Sequence, residues 1–315
     1  MTQTNKLSEV KSFLNEKQGY LKEGGERLRS VLLKNGINAS VETCKQAIKE
    51  VNQELRSSRI DSMENPKILI YDIETSYLIA KSWRIGWDIQ LNHEDIISPK
   101  KIICISYKWL DEDQVYTLTW DKNQDDKFML EQFIEVMNEA DMLVAHNGDK
   151  FDLKWIKTRA ILNGLTMLPT YNQFDTLKVA KKKFNFDSNK LNSLGKDLGL
   201  GEKLKTELGL WDAVILKKDK EALIRMCTYC EGDVRLLEGL YKKLANWELP
   251  KYHYGVINGK SALTSPISGG NRLELVKTLT TNKGTIKHIM RDLDTDRLFE
   301  MSSVNYNKYL KVDEG

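Results

Sequence analysis

Acidic side chains stand in three separated motifs of this 315-residue chain, and a tyrosine accompanies the last of them. The motifs are Asp72-Ile73-Glu74, Asn147-Gly148-Asp149-Lys150-Phe151-Asp152 and Tyr229-Cys230-Glu231-Gly232-Asp233. Carboxylate oxygens are the ligands that Mg²⁺ and Mn²⁺ prefer. Two such ions about 4 Å apart can activate a water and stabilise the leaving oxygen when a phosphodiester is cut. The residue types therefore point to metal-dependent phosphodiester cleavage.

The local spacing of these residues suits a shared site. Asp72 and Glu74 follow the apolar run Ile68–Tyr71, and alternate residues of a strand point to the same side of its pleat. Tyr229 and Asp233 are four residues apart in a stretch with helical spacing, so they share a helix face. Asp152 falls near a predicted helix start, where a carboxylate also has an ordinary stabilising role at the positive end of the helix dipole.

Together the three motifs resemble the DEDD superfamily of 3′→5′ exonucleases, in the tyrosine subgroup whose third motif reads Tyr-x-x-x-Asp. The resemblance covers residues 66–247 and implies an RNase H-like fold. It further implies that Asp72, Glu74 and Asp233 hold the ion that activates the water. Asp72 and Asp152 would hold the ion at the leaving oxygen, and Tyr229 would orient the attacking water. Because a phenol has a pKa of about 10, the metal must do most of the activation.

Residues beside the motifs are the candidate substrate contacts. The resemblance places Thr75, Asn147 and Phe151 against the terminal nucleotide. His146 is expected to have a structural or supporting role, because the base of the histidine subgroup lies in the third motif. Asp175 can either cap the following helix or support the metal ligands, and the sequence leaves both interpretations open.

The order of predicted elements agrees with an α/β domain that has a mixed sheet flanked by helices. The segments 68–72, 102–110 and 115–120 are rich in β-branched and aromatic residues and predict three strands. Residues 128–137 have helical apolar spacing, residues 142–145 predict a short buried strand, and residues 152–162 return to helix. This βββαβα order is that of RNase H-like sheets.

The two ends predict smaller regions. We expect an N-terminal helical region over residues 1–62, with two short helices, the second capped by Ser40. A helix-turn-helix is the alternative to an ordinary helical hairpin there. Residues 248–315 predict a small β-rich region with a hairpin turn at Asn282-Lys283-Gly284. The domain prediction is therefore 1–62, 66–247 and 248–315.

Two surface features have alternative interpretations. The net charge is only +3, so contact with nucleic acid requires locally clustered charge. One lysine cluster is either a solvated helix face or a set of phosphate contacts; it comprises Lys178, Lys181, Lys182, Lys183 and Lys190. Trp83 and Trp87, in the long connection between residues 80 and 99, either pack on the domain or stack on bases.

The expected function is that of a free-standing, two-metal 3′→5′ exonuclease using Mg²⁺ or Mn²⁺, with single-stranded DNA preferred and RNA as the alternative substrate. An RNase D-like exoribonuclease is the nearest rival. A non-catalytic nucleic-acid-binding or scaffold protein is the rival from another class, but all four carboxylates are present. Replication, recombination or repair, in a phage or other viral setting, is the expected context, and the N-terminal helices are candidate contacts for a replication or recombination protein.

The remaining composition predicts a cytoplasmic protein without a membrane span. No apolar run approaches the ~20 residues that a span requires, and the first residues lack the apolar core of a secretory signal. The four cysteines are too scattered for a disulfide framework. Cys227-x-x-Cys230 lacks a second pair at zinc-finger spacing, so free thiols are expected rather than a zinc site.

Overall fold

The computed structural model describes residues 3–17, 19–20, 24–61, 66–204, 206–207 and 209–313. These residues fall into two compact units. One unit gathers Met1–Asn65 with His253–Asp296 and Met301–Gly315, and the other consists of Pro66–Tyr252 with Arg297–Glu300. The domain limits predicted from the sequence remain predictions, and the predicted boundary at residue 62 lies outside the described residues.

The N-terminal segment is helical over three stretches: α1 Gln3–Glu16, α2 Gly25–Lys34 and α3 Val41–Asp61. The prediction of two short helices was wrong, because α1 was missed and α3 has 21 residues. Val10 and Leu14 of α1 are fully buried against α2 and α3 residues, so the missed signal was their helical spacing. Ser40 caps α3 as predicted, since its Oγ accepts the N–H of Thr43 at 3.0 Å.

The larger unit is built on a five-stranded mixed sheet of order β5-β4-β1-β6-β7. A separate two-stranded ribbon pairs β2 with β3. The strands of the unit are β1 Ile68–Thr75, β2 Ile79–Ala80, β3 Ile96–Ser98, β4 Ile102–Trp109, β5 Tyr116–Thr119, β6 Met142–Ala145 and β7 Gln173–Asp175. The central strand β1 runs antiparallel to β4 and parallel to β6. The sheet therefore contains both parallel and antiparallel strand pairs, as expected for the predicted βββαβα order.

Helices cover this sheet and complete the predicted α/β class. They are α4 Lys127–Glu139, α5 Asp152–Leu162, α6 Thr176–Lys183, α7 Leu191–Asp197, α8 Leu210–Ile215 and α9 Lys220–Leu244. Short 3₁₀ helices occupy His93–Asp95 and Ala245–Trp247. Asp219 caps the long helix α9 by accepting the N–H groups of Glu221 and Ala222, which fixes where the helix begins.

Alternation along β1 divides the core between the two faces of the sheet. Ile68 and Ile70 join a cluster that includes α9 residues, whereas Leu69 and Tyr71 join a cluster formed with α4 and α5 residues. Residues of β1 that are even in number therefore point toward α9. This places the side chains of Asp72 and Glu74 on the α9 side.

The C-terminal segment contains the short helix α10 Tyr254–Ile257, the strands β8 Leu273–Thr280, β9 Ile286–Asp292 and β10 Arg297–Ser302, and the helix α11 Ser303–Asp313. Strands β8 and β9 form the predicted hairpin, and Gly284 supplies the positive φ of +78° that its turn needs. The third strand, β10, was not predicted. Among the described residues, no helix is both long and apolar enough to cross a membrane.

Candidate active site

The first and third motifs meet between β1 and α9. Ligand atoms of Asp72, Glu74 and Asp233 all lie within 4.8 Å of one another. Two carboxylates come from alternate positions of the central strand, and the third comes from the helix that packs on it. The strand pairs regularly with β4 through Glu74, and the register shifts between Glu74 and Thr75. The segment of β1 that carries Asp72 and Glu74 is therefore held in regular antiparallel pairing with β4.

A tight turn after β6 positions the second motif. Asn147 has a left-handed backbone with φ +70°, and a side chain at Gly148 would come within 2.4 Å of the Ala145 Cβ. The turn ends at Asp152, the first residue of α5, whose side chain is buried. The backbone amide of Ile73, between the two acidic residues of β1, acts to lower the pKa of Asp152, which places this carboxylate beside the strand. The turn thus brings Asp152 to the end of β1.

The gathered carboxylates are held in an unfavourable electrostatic environment. Burial, with added repulsion from Asp233, raises the pKa of Glu74 to about 8. Burial also raises the pKa of Asp152 to about 7. The pKa of Asp72 lies well above its usual value because the group is buried and faces Cys230, Asp152, Glu74 and Asp233. Like charges without enough partners disfavour ionisation, so added cations would relieve the strain.

Lys203, which the sequence motifs did not single out, contacts this cluster. Its Nζ lies 2.5 Å from Asp233 Oδ2 and 3.3 Å from the Tyr229 hydroxyl. Burial opposes the charge of Lys203, but the neighbouring Asp233 outweighs it, so the pKa of the lysine is raised. Lys203 lies in the loop between α7 and α8, just after Gly201, which has φ +112°. No local pattern in that loop indicates a site residue.

Tyr229 presents a neutral hydroxyl beside the cluster. Burial and the adjacent Asp233 raise the pKa of this phenol above its ordinary value of 10. The Lys203 ammonium lies 5.3 Å from the centre of the Tyr229 ring, and Trp211 meets the ring edge-on at 6.4 Å. A neutral phenol can donate or accept a hydrogen bond but cannot act as a base at neutral pH. The surroundings suit a positioning role.

The donor set fits divalent cations. The three clustered groups offer carboxylate oxygens, which Mg²⁺ and Mn²⁺ prefer. Asp233 Oδ1 is buried and has no hydrogen-bond partner among the described residues, although buried polar atoms are nearly always paired. A bound cation would supply the missing partner for this buried oxygen.

The other predicted residues lie around this cluster in different ways. Thr75 ends β1, and its carbonyl accepts a hydrogen bond from Trp211 Nε1 at 3.2 Å. The N–H of Asn147 donates to Asp175 Oδ1 at 3.0 Å. Phe151 is exposed over 40% of its surface and meets Trp155 edge-on. Their assignment as substrate contacts remains a prediction.

His146 and Asp175 both have structural partners. The imidazole of His146 bridges Thr176 Oγ1 and the carbonyl oxygen of Asn189, at 2.9 and 3.0 Å. Asp175 caps α6 by accepting the N–H groups of Leu177 and Lys178. Its second oxygen is buried and has no hydrogen-bond partner within the part of the chain that the structure describes. The capping interpretation of Asp175 is therefore observed directly.

Part of the predicted lysine cluster is already paired. Lys178 forms an ion pair with Asp149, and Lys182 and Lys183 reach the Glu248 carboxylate at 2.8 and 3.4 Å. These pairs reduce the charge available to phosphates. All four cysteines are free, and Cys230 Sγ lies 3.7 Å from Asp72 Oδ2.

Comparison with known proteins identifies the class of the larger unit. Residues 93–245 match the family model RNase_H_2 of the RNase_H superfamily. With the mixed sheet of order β5-β4-β1-β6-β7, this match identifies an RNase H-like fold.

The relatives found by sequence are DNA polymerases. Those of Thermococcus aggregans and Thermococcus litoralis are each 26% identical over a region that covers 57% of this chain. The chain spans only 11% and 12% of their respective lengths. A solved family B DNA polymerase from Pyrobaculum calidifontis is 16% identical, covers 58% of this chain and 25% of its own, and has a TM-score of 0.46.

Proposed function

We propose that this protein is a metal-dependent nuclease that removes nucleotides from the 3′ end of nucleic-acid strands. The observation that carries the proposal is the gathering of carboxylates from β1 and α9 within 4.8 Å, with an unpaired buried oxygen among them. The RNase H-like fold supports a nuclease. The 3′→5′ direction rests on the resemblance of the three motifs to the tyrosine subgroup of the DEDD exonucleases.

In this proposal the carboxylates have separate roles. Asp72, Glu74 and Asp233 would hold one divalent cation, and Asp72 with Asp152 would hold a second. When bound, the cations would supply an activated water and stabilise the leaving oxygen. Tyr229 positions the water through its neutral hydroxyl. Lys203 bonds Oδ2 of Asp233, whereas Oδ1 is the oxygen open to a cation, so the lysine would compete with the cation for the negative charge of the shared carboxylate.

DNA is the preferred substrate because the relatives found by sequence are DNA polymerases. An exoribonuclease remains the second candidate. Discrimination would come from contacts to the 2′-hydroxyl, which lie on the surface that receives the terminal nucleotide. Thr75, Asn147 and Phe151 are the residues we propose for that surface.

A gel assay with 5′-labelled and 3′-labelled DNA and RNA strands tests the proposal. Purified protein is incubated with Mg²⁺, Mn²⁺ or EDTA. We expect stepwise shortening from the 3′ end with either metal and none with EDTA. Asp152→Asn should lower the rate by at least about 10³-fold, because a lost ligand removes several kcal/mol of metal-dependent stabilisation.

Tyr229→Phe provides the matched comparison within the site. It keeps every carboxylate and removes only the hydroxyl, so we expect a loss of about 10²-fold with measurable activity remaining. Asp187→Asn, at an exposed position, should cleave at the wild-type rate. Equal losses for Asp152→Asn and Tyr229→Phe would contradict the assigned roles, and cleavage in EDTA would contradict the metal requirement.

A further inference from the structure

The connection between β2 and β3 carries three apolar side chains in full contact with solvent. The exposed fractions of Trp83, Ile85 and Trp87 are 103%, 103% and 102%. We call residues 81–95 the hairpin tip. Of the two interpretations of these tryptophans, packing on the domain is therefore not observed. Two indoles that contact nothing in the described chain are costly to expose, since each ring offers about 150–250 Å² to a binding partner.

The base of this hairpin is fixed to the candidate active site. The carbonyl of Thr75 accepts a hydrogen bond from Trp211 Nε1, and the Trp211 ring meets the Tyr229 ring edge-on. Two residues further along, the Tyr77 hydroxyl donates to Asp212 Oδ1 at 2.7 Å. Strand β2 begins at Ile79, where it pairs with Ser98. The chain thus runs from the ligands of β1, past Tyr229, into the ribbon that carries the hairpin tip.

The reach of the hairpin matches a strand that enters the site. Trp83 follows Glu74 by nine residues, so a fully extended chain could place it at most about 30 Å away. Single-strand binding sites on protein surfaces cover about 4–16 nucleotides. A nucleic-acid strand with its 3′ end at the carboxylates would therefore be long enough to extend past the hairpin tip.

The chemistry of the hairpin favours nucleic acid as the occupant. Flat indole rings stack on any base, so they bind strands without reading sequence. The tip carries charges of both signs, with Lys81 and Arg84 on one side and the carboxylates Asp88, Glu94 and Asp95 on the other. Arg84 also pairs with Asp88 at 3.3 Å, between the two tryptophans. The two exposed indoles, and not the charge of the tip, therefore favour a base-stacking occupant.

We propose that the hairpin tip is a stacking platform that holds the single-stranded region of the substrate, with Trp83 and Trp87 contacting bases upstream of the 3′ end. This inference rests on the proposed function and names the part of the protein that holds the substrate away from the chemistry. It predicts that the tip contributes to strand binding and not to bond cleavage.

Strand binding is measured in the Asp152→Asn background, so that the strand stays intact. Fluorescence anisotropy follows a dye-labelled DNA strand of about 15 nucleotides, a length within single-strand site sizes. Replacing both tryptophans by Ala should weaken binding by about 5-fold to 150-fold for each ring that stacks. Replacing both by Phe should retain most of the affinity, because the aromatic face remains.

Replacing both tryptophans by Leu separates stacking from general apolar contact. Leucine preserves apolar area without a π-face, so the Leu variant should bind like the Ala variant. Equal affinities of the Leu and Phe variants would overturn the proposal, as would wild-type affinity of the Ala variant. In the latter case, the hairpin tip would be available for a protein partner.

Two controls separate this inference from the proposed function. Trp247→Ala removes a tryptophan that is 62% exposed and lies beyond α9, and it should bind strands normally. Hydrolysis of a p-nitrophenyl ester of a nucleoside monophosphate, measured with Mn²⁺ in the otherwise wild-type chain, should be unchanged by every hairpin substitution. If the unsubstituted protein does not hydrolyse this ester, both the proposed function and this inference are contradicted. Normal turnover with unaltered strand binding in the Ala variant would contradict only the inference.

Discussion

Two carboxylate sites in the larger unit differ in how their acidic side chains are paired: the single residue Asp126, and the acidic cluster at the end of β1. Asp126 is fully buried, and both of its oxygens are bonded to Arg159, at 2.7 and 2.8 Å. Asn163 and the N–H of Ile102 complete its partners at 3.0 Å. Burial tends to raise the pKa of Asp126, but these donors outweigh it and the pKa is lowered.

The acidic cluster at the end of β1 has the opposite character. Its members face one another, their pKa values are raised, and the cationic side chain found in contact with them among the described residues is Lys203. A buried carboxylate with a complete set of donors holds the fold together. A buried group of carboxylates without one is maintained at a cost to stability, which is typical of sites that bind cations.

The largest expected effect is on stability at Asp126. Asp126→Asn leaves the Arg159 guanidinium buried without a counter-charge, so we expect a loss of about 3–5 kcal/mol in the free energy of unfolding. Asp72→Asn, at a half-buried position of the cluster, should leave the stability of the metal-free protein unchanged or higher. Urea unfolding at pH 8 in EDTA measures both variants.

A second substitution at Arg159 checks the cause of that loss. Adding Arg159→Met to Asp126→Asn removes the unpaired charge, so the double variant should recover part of the lost stability. The comparison between the two groups fails if Asp72→Asn destabilises the metal-free protein as strongly as Asp126→Asn does.

This difference also explains how far the sequence could predict the site. The sequence could single out five candidate site residues because each of their motifs is a short contiguous stretch: Asp72, Glu74, Asp152, Tyr229 and Asp233. The strands and helices that carry them were likewise predicted from local periodicity. Lys203 was not, since its contact with Asp233 spans 30 residues and depends on how a loop returns to α9. The Asp126–Arg159 pair, 33 residues apart, was missed for the same reason.

The next largest expected effect is on metal affinity, through the positive charge of Lys203 beside Asp233. Lys203→Met keeps the length of the side chain but removes the charge that competes with a metal for Asp233. We expect Mn²⁺ to bind about tenfold more tightly, which corresponds to about 1.4 kcal/mol, as measured by isothermal titration calorimetry. Lys217→Met, at an exposed position, is the matched control. Weaker Mn²⁺ binding in Lys203→Met would mean that the lysine supports the metal site instead of competing with it.

The smallest effect is the pH dependence of stability, and its sign differs between the two groups. Glu74 has a pKa of about 8 in the folded protein against an ordinary value of 4.5, so the folded state holds a proton that the unfolded state has lost between these values. Metal-free stability should therefore fall as pH rises from about 5 to 8, by on the order of 1 kcal/mol. Asp126 contributes oppositely, because its lowered pKa gives stability that is lost only as the pH falls below its ordinary value of 3.8.

Unfolding in EDTA at several pH values should show a shallower decline of stability with pH for Glu74→Gln and an unchanged decline for Asp187→Asn. Saturating Mn²⁺ should reverse the trend, since metal binding requires the ionised carboxylates, and a slope that Glu74→Gln leaves unaltered would place the responsible proton elsewhere.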